Sequence, residues 1–306
     1  MTAALPAAGP VIELDGVSKF FGGVVAVSDV SFTIEPGVTA LLGPNGAGKS
    51  TMIRTLLGYL SPSAGRAWVL GLDVASESVE IRQRVGYLPG GIALYDSLTG
   101  MQCLDYLSDL QATDPVRRPE LIERLQMPER DLKRRVRDYS RGMRQKIGVI
   151  QALQHDPELA ILDEPTEGLD PLMQQSFYAL LEDLRHEGRT IFMSSHNLYE
   201  VERVCDRVAI IRAGHLMTLQ KVEELTARRR RRVALRWRGA APDLSEVPGL
   251  ADLVVRGDRM TLTILGDVAP FVRAIASPAL EDLTIEPARL EEAFLEYYAD
   301  ENGADS

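Results

Sequence analysis

Gly43-Pro44-Asn45-Gly46-Ala47-Gly48-Lys49-Ser50 sets glycine, lysine and hydroxyl residues at the spacing G-x-x-x-x-G-K-S. Residues of these types in this order can wrap an anion. Glycine admits backbone conformations that a side chain forbids, so successive N–H groups can face one phosphate. A helix starting where the loop ends adds the positive end of its dipole. Lys49 would then reach the β- and γ-phosphates, and the Ser50 hydroxyl a magnesium ion. A second group of reactive residues closes the run Leu159-Ala160-Ile161-Leu162-Asp163-Glu164. Four apolar residues ending in two carboxylates read as a buried parallel strand with acids at its C-terminal end, where open α/β sheets bind ligands. Asp163 suits magnesium, directly or through water, and Glu164 suits a base that polarises water for attack on phosphorus. His196 closes a third apolar run, Thr190 to Ser195, where it could contact a phosphate.

These groups need elements to hold them. Val38 to Leu42 reads as a strand entering the loop, and Thr51 to Tyr59 as a helix leaving it, the context that the loop motif requires. Val11 to Leu14, Val30 to Ile34, Ala67 to Leu70, Val85 to Leu88 and Arg207 to Arg212 read as further strands. Leu98 to Leu110, Pro119 to Leu125, Leu172 to Glu187 and Leu198 to Cys205 have helical spacing. Residues 85–136 read as a helical insert. Tyr139 to Lys146 opens another helix, with Ser140 as its N-cap; a capped helix and a second anion site both fit. Phe21 precedes the phosphate loop and could stack on a base or enter the core. Strands alternating with helices argue for a largely parallel sheet.

The chain has 306 residues, 45% of them hydrophobic, enough for a large core with an appendage or for two domains. A net charge of −10 disfavours broad nucleic-acid binding. Cys103 and Cys205 stand alone and suggest neither a metal site nor a disulfide framework, which fits a reducing cytosol. Met1 to Pro10 lacks the pattern of a signal peptide, and no stretch approaches the ~18 apolar residues of a membrane span. A membrane role is therefore expected only through a partner.

In order and spacing, the loop Gly43 to Ser50, Tyr139 to Met143, the acid strand Leu159 to Glu164, Gly168-Leu169-Asp170 and His196 resemble the motifs of ATP-binding cassette (ABC) ATPases. The resemblance covers about Val11 to Leu219 and is strongest to the nucleotide-binding subunits of bacterial drug and antibiotic exporters. It implies an α/β fold: a P-loop NTPase core with an antiparallel β subdomain, a helical insert and a small C-terminal α+β domain. It implies ATP and Mg²⁺ as cofactors. Gly43, Pro44, Asn45, Gly46, Ala47, Gly48, Lys49, Ser50 and Thr51 would form Walker A, with Phe21 on the adenine. Ser50 and Asp163 would hold Mg²⁺. Glu164 would be the catalytic base and His196 the switch histidine, with Lys49 completing the catalytic set. Asp170 would belong to the D-loop. Ser140 and Gly142 would reach the γ-phosphate of the opposite subunit in a head-to-tail homodimer. The implied partner is a separate multi-span permease, which would place the chain at the cytoplasmic face of the membrane.

Two departures stand out. The family's Leu-Ser-Gly-Gly-Gln signature is here Tyr139-Ser140-Arg141-Gly142-Met143, so Arg141 adds a charge. The usual Q-loop glutamine falls at Gly90, which has no side chain to reach magnesium or water. Beyond residue 220, residues 221–232 read as a basic linker containing Arg228 to Arg232, a solvated block or a contact for nucleic acid or anionic lipid. Strands at Val233 to Trp237, Leu253 to Val255, Thr261 to Leu265 and Leu283 to Ile285, with helices at Val268 to Ala276 and Ala288 to Tyr298, suggest a small domain over 233–306, with a ferredoxin-like arrangement as one option. The alternative function is a soluble ABC ATPase of DNA repair or translation. The interval from Gly48 to Ser140 is too short for a repair protein's coiled coil, and the chain carries one cassette rather than two.

Overall fold

The computed structural model describes residues 9–227, 230–239, 241–277 and 279–286. The chain divides after Leu219 into two compact units. In chain order the first unit comprises β1 (Ile12–Phe21), β2 (Val24–Ile34), β3 (Val38–Leu42), α1 (Lys49–Leu56), β4 (Ala64–Val69), β5 (Leu72–Asp73), α2 (Ser78–Arg84) and β6 (Val85–Leu88). Then follow α3 (Gly100–Gln111), α4 (Arg118–Arg124), α5 (Glu129–Leu132), α6 (Arg141–Leu153), β7 (Leu159–Asp163), α7 (Pro171–His186), β8 (Thr190–Ser195), α8 (Leu198–Val204), β9 (Arg207–Arg212) and β10 (His215–Lys221).

Six strands form one sheet in the order β10-β9-β3-β8-β7-β6, and β9, β3, β8, β7 and β6 run parallel. Every residue of β3, β7 and β8 is buried, as expected of strands covered on both faces. Parallel pairing puts the C-terminal ends of β3, β7 and β8 side by side, and with them Gly43, Glu164 and His196. The second sheet, β2-β1-β4-β5, is antiparallel. The core between the sheets gathers Ile12, Phe32, Ile34, Leu41, Met52, Ile53, Ile161 and Phe192. The Phe32 and Phe192 rings stand 6.5 Å apart. Each such side chain contributes about 1.5–3 kcal/mol when fully buried.

Several boundaries move. β1 and β2 form one long hairpin that keeps Phe20 and Phe21 paired with Val25 and Val24 at its tip. Phe21 is 47% exposed there, so it is not a core residue. β6 belongs to the main sheet, so the helical insert begins after Leu88 rather than at Val85. Thr99 caps α3, its hydroxyl accepting from Gln102 N–H while the Gln102 side chain accepts from Thr99 N–H. Arg117 ties the insert to the core by pairing with Glu120, Asp156 and Glu187.

The second unit comprises α9 (Val222–Ala227), β11 (Arg230–Trp237), β12 (Leu250–Arg256), β13 (Arg259–Leu265), α10 (Ala269–Ile275) and β14 (Leu280–Glu286). The expected linker over 221–232 is largely structured: α9 occupies its first half, and β11 begins at Arg230 because Arg230 to Arg232 find ladder partners in Leu265, Ile264 and Thr263. The sheet order β12-β13-β11-β14 is antiparallel throughout, as in the ferredoxin-like option. The first crossover, 238–249, carries no helix among its described residues. The expected helix at Ala288 to Tyr298 lies outside the described residues.

At Gly86 a Cβ would meet Ala152 O at 2.1 Å, so this glycine lets α6 lie against β6. Gly86→Ala should therefore cost about 1–3 kcal/mol in urea unfolding, because α6 must lift off the sheet. An unchanged midpoint would show that α6 does not need this approach.

Candidate active site

The loop 43–48 bends sharply because two of its glycines sit against backbone. A Cβ at Gly43 would lie 2.4 Å from Ile211 O, and one at Gly48 2.4 Å from Ala26 O. Gly48 also holds φ at +107° and leads directly into α1, which starts at Lys49 rather than at Thr51. Only glycine satisfies both demands. The loop is pinned by Ala47 N–H to Pro44 O at 3.2 Å and by Gly214 N–H to Ala47 O at 3.0 Å.

Lys49 is 6% exposed. A buried ammonium needs oxygen partners, and Lys49 Nζ donates to Gly43 O at 2.7 Å and to Pro44 O at 3.3 Å. It also lies 3.2 Å from Glu164 Oε1. The other oxygen of that carboxylate, Oε2, is 2.7 Å from His196 Nδ1. The structure thus joins Lys49, Glu164 and His196, three residues far apart in sequence, into one polar chain across the ends of β3, β7 and β8. Glu164 adopts a left-handed backbone, φ +52°, an arrangement that costs on the order of 1–3 kcal/mol outside glycine.

Ser194 accounts for the way the two acids are held. Its hydroxyl donates to Asp163 Oδ1 at 2.5 Å and accepts from Glu164 N–H at 2.9 Å. Gln145, buried on α6, donates to Pro165 O at 2.7 Å and ties that helix to the turn after the acids. Neither Ser194 nor Gln145 belongs to a motif that the sequence marks as chemical. Ser194 carried a signal in principle, since a polar residue inside an apolar strand needs a partner; Gln145 carried none beyond its helix.

The second oxygen of Asp163 faces Gly90, where a Cβ would stand 3.1 Å from Oδ2. Glycine there keeps the neighbourhood of this oxygen free of side chain. A hydroxyl and a carboxylate are hard oxygen donors of the kind magnesium takes when phosphates and waters complete its shell. Among the described residues no group of three or more His, Cys, Asp or Glu could hold a metal by itself. Ser50 and Asp163 would be the protein donors for a magnesium ion that arrives with a phosphate ligand.

Other expected residues lie apart from this chain. Phe21 sits at the hairpin tip with the Lys19 ammonium 5.2 Å from its ring. Ser140 caps α6 through Met143 N–H at 3.2 Å. Gly142 packs near Gly168, whose carbonyl would stand 2.9 Å from a Cβ at 142. Arg141 pairs with Glu167. Asp170 caps α7, accepting from Met173 N–H at 2.9 Å. Ser140, Gly142 and Asp170 therefore line a surface beside the acid turn and make their contacts there.

Comparison with known proteins follows these features along the chain. The family described as ABC transporter matches residues 27–167. An uncharacterised ABC transporter ATP-binding protein of Nostoc sp. is 42% identical over 208 residues, 66% of this chain and 62% of that relative. The daunorubicin resistance ATP-binding protein DrrA3 of Streptomyces coeruleorubidus is 32% identical over 309 residues, 96% of this chain and 98% of its own length. A dimeric bacterial ABC transporter cassette shares the fold, with a TM-score of 0.62 over 69% of this chain and 98% of that one at 22% identity. The chain spans 62% and 65% of the length of the Nostoc relative and of a second from Synechocystis.

Ser194→Ala should lower stability by about 1–3 kcal/mol, since it strips a hydrogen bond from a buried carboxylate. Denaturant unfolding of the two chains checks this, and equal midpoints would mean that the bond carries no net weight.

Proposed function

The chain belongs to the ATP-binding proteins of the ABC transporter family, and from that premise we propose that it binds and hydrolyses ATP to drive export through a separate membrane permease. The observation that carries this reading is the Lys49–Glu164–His196 chain at the mouth of the glycine loop. A triphosphate in the loop meets main-chain N–H groups, the dipole end of α1 and the Lys49 ammonium. Phe21, exposed at the hairpin tip, offers a face to the adenine. Held by Ser50 and Asp163, magnesium would neutralise charge on the phosphate oxygens.

Glu164 is 17% exposed and stands between ammonium and imidazole. As base it takes a proton from a water whose oxygen attacks the terminal phosphorus, and ADP departs with the bridging oxygen. His196, 57% exposed, faces outward where that phosphate would lie. Ser140 and Gly142 contact neither Lys49 nor Glu164, which favours their use by a second copy of the chain. A head-to-tail homodimer would let each copy close over the other's nucleotide, with Asp170 at the seam.

The permease reading has its own support. A groove of about 450 Å³ opens between the core and the helical insert, lined by Leu57, Tyr59, Val79, Tyr87, Leu107 and Leu110 among others. Tyr59, Val79 and Leu110 are exposed apolar side chains on its walls. Pro89 and Ile92 also line it, so the segment that carries Gly90 runs from the groove to Asp163. A short helix of a membrane partner seated there would press on the segment beside the magnesium position. Among the described residues no helix is long and apolar enough to cross a membrane; in this reading the partner supplies the spans and holds the subunit at the cytoplasmic face. Export of antibiotic-like compounds is favoured by the drug-resistance relative, whose alignment runs through both units.

Glu164→Gln should keep ATP binding, lower turnover at least ~100-fold and accumulate a nucleotide-bound dimer on gel filtration. Monomer alone in ATP and Mg²⁺ would refute the shared site. Lys49→Ala should weaken ATP binding about 10- to 100-fold by calorimetry. Unchanged affinity would remove Lys49 from the phosphate site.

A further inference from the structure

Beneath the polar chain lies a carboxyl that the mechanism above does not use. Glu200, in the first turn of α8, is 1% exposed. Its Oε2 is 2.6 Å from Ser195 Oγ, and that hydroxyl also accepts from Asn197 N–H at 2.9 Å. The carboxyl therefore holds the 195–197 turn from which His196 projects. Its Oε1 has no aligned hydrogen-bond partner among the described residues, with the Thr166 hydroxyl close by. No cation pairs with it among the described residues. The titratable groups that face it are Glu164 and His196 across the strand ends, Tyr178 on α7 and Cys205 after α8.

An ionised carboxylate in this place is costly twice over. Burial removes it from water, and Glu164 adds a like charge nearby. The Ser195 hydrogen bond, the nearby Thr166 hydroxyl and His196 offset only part of this. Burial accordingly pushes the Glu200 carboxyl up to about 7. The group stands at the edge of ionisation under ordinary conditions, and any further negative charge in the site drives it toward the protonated form.

We propose that Glu200 is a positioning residue for His196 that takes up a proton when an anionic nucleotide enters the site. The proposal rests on the nucleotide reading given above. The proton comes from buffer, the new O–H bond forms on Glu200, and that O–H donates to Ser195 Oγ. The turn keeps its hydrogen bond while the site loses one negative charge as the phosphates arrive. In the free protein above pH 7 the carboxylate ionises instead, and the nucleotide must pull the proton back at a cost in affinity. Nucleotide affinity should thus fall as pH rises through 7, on the order of three- to tenfold by pH 8.5.

The test uses the full chain, Mg²⁺ and a non-hydrolysable ATP analogue. Calorimetry at pH 7.5 in two buffers of different ionisation enthalpy counts the protons taken up. Wild type should take up on the order of half a proton more than Glu200→Gln. The two affinity profiles should converge near pH 6 and part above pH 7. Ser195→Ala removes a donor to the carboxylate, so it should move the wild-type break to higher pH, which a purely structural serine would not do. Equal proton uptake with parallel profiles, or a break unmoved in Ser195→Ala, overturns the role of Glu200 while leaving nucleotide binding intact. No binding of the analogue by wild type overturns the nucleotide site itself, and this proposal with it.

Discussion

A buried ammonium must be surrounded by oxygens, and the surroundings of Lys49 set the terms for everything near it. Two of its partners are carbonyls of its own loop, which fixes the loop's curvature from within. The third is the carboxylate of the residue that follows β7, more than a hundred residues away. Because Nζ cannot move without leaving a charge unpaired, β3 and β7 must keep their spacing, and β8 lies hydrogen-bonded between them. The two-sided burial of these strands supplies that rigidity. The same cation is the one a phosphate would compete for, so the loop is already organised for an anion.

The acid pair shows how one backbone supports two carboxylates with different surroundings. Asp163 is the last residue of β7, and one of its oxygens is fixed by Ser194. Glu164 follows in a left-handed conformation that turns its side chain toward Lys49 and His196. A regular strand would send successive side chains to opposite faces. The positive φ breaks that alternation, and Ser194 and Gln145 hold the break by bonding the backbone on either side of it. Strain is thus placed where the carboxylate proposed to activate water stands clear of the sheet. It also couples α6, and with it Ser140, to the acid turn without any direct contact between the serine and the loop.

Arg141 and Gly90, the two departures from the family pattern, have local consequences that differ in kind. Arg141 is neutralised by Glu167 on the turn after the acids, so the extra charge is spent within the chain. Gly90 brings its backbone close to Asp163 Oδ2 without a side chain, where even a Cβ would crowd the carboxylate. The first is a surface ion pair of small weight. The second changes what can approach the proposed metal position.

The sequence by itself determined the chemistry on offer. The spacing of glycines, lysine and serine, the four apolar residues before two acids, and the histidine after a buried run all follow from local rules of backbone freedom and strand burial. The parallel sheet was legible from strands that alternate with helices, whereas the antiparallel β subdomain was implied only by the resemblance. Tertiary structure alone decided which of these groups meet. Lys49, Glu164 and His196 come together because parallel pairing aligns the ends of three strands, a register that no local pattern records. Phe21 stayed ambiguous until the long hairpin placed it at an exposed tip, since a phenylalanine on a strand carries no mark of which face is covered. Gln145 and Glu200 were silent, and Ser194 showed only that a polar residue in an apolar strand needs a partner, because their significance lies in partners 20, 5 and 30 residues away across packed elements. Hydrogen bonding between elements depends on distance in space, and sequence spacing reports that distance only within a single helix, strand or turn.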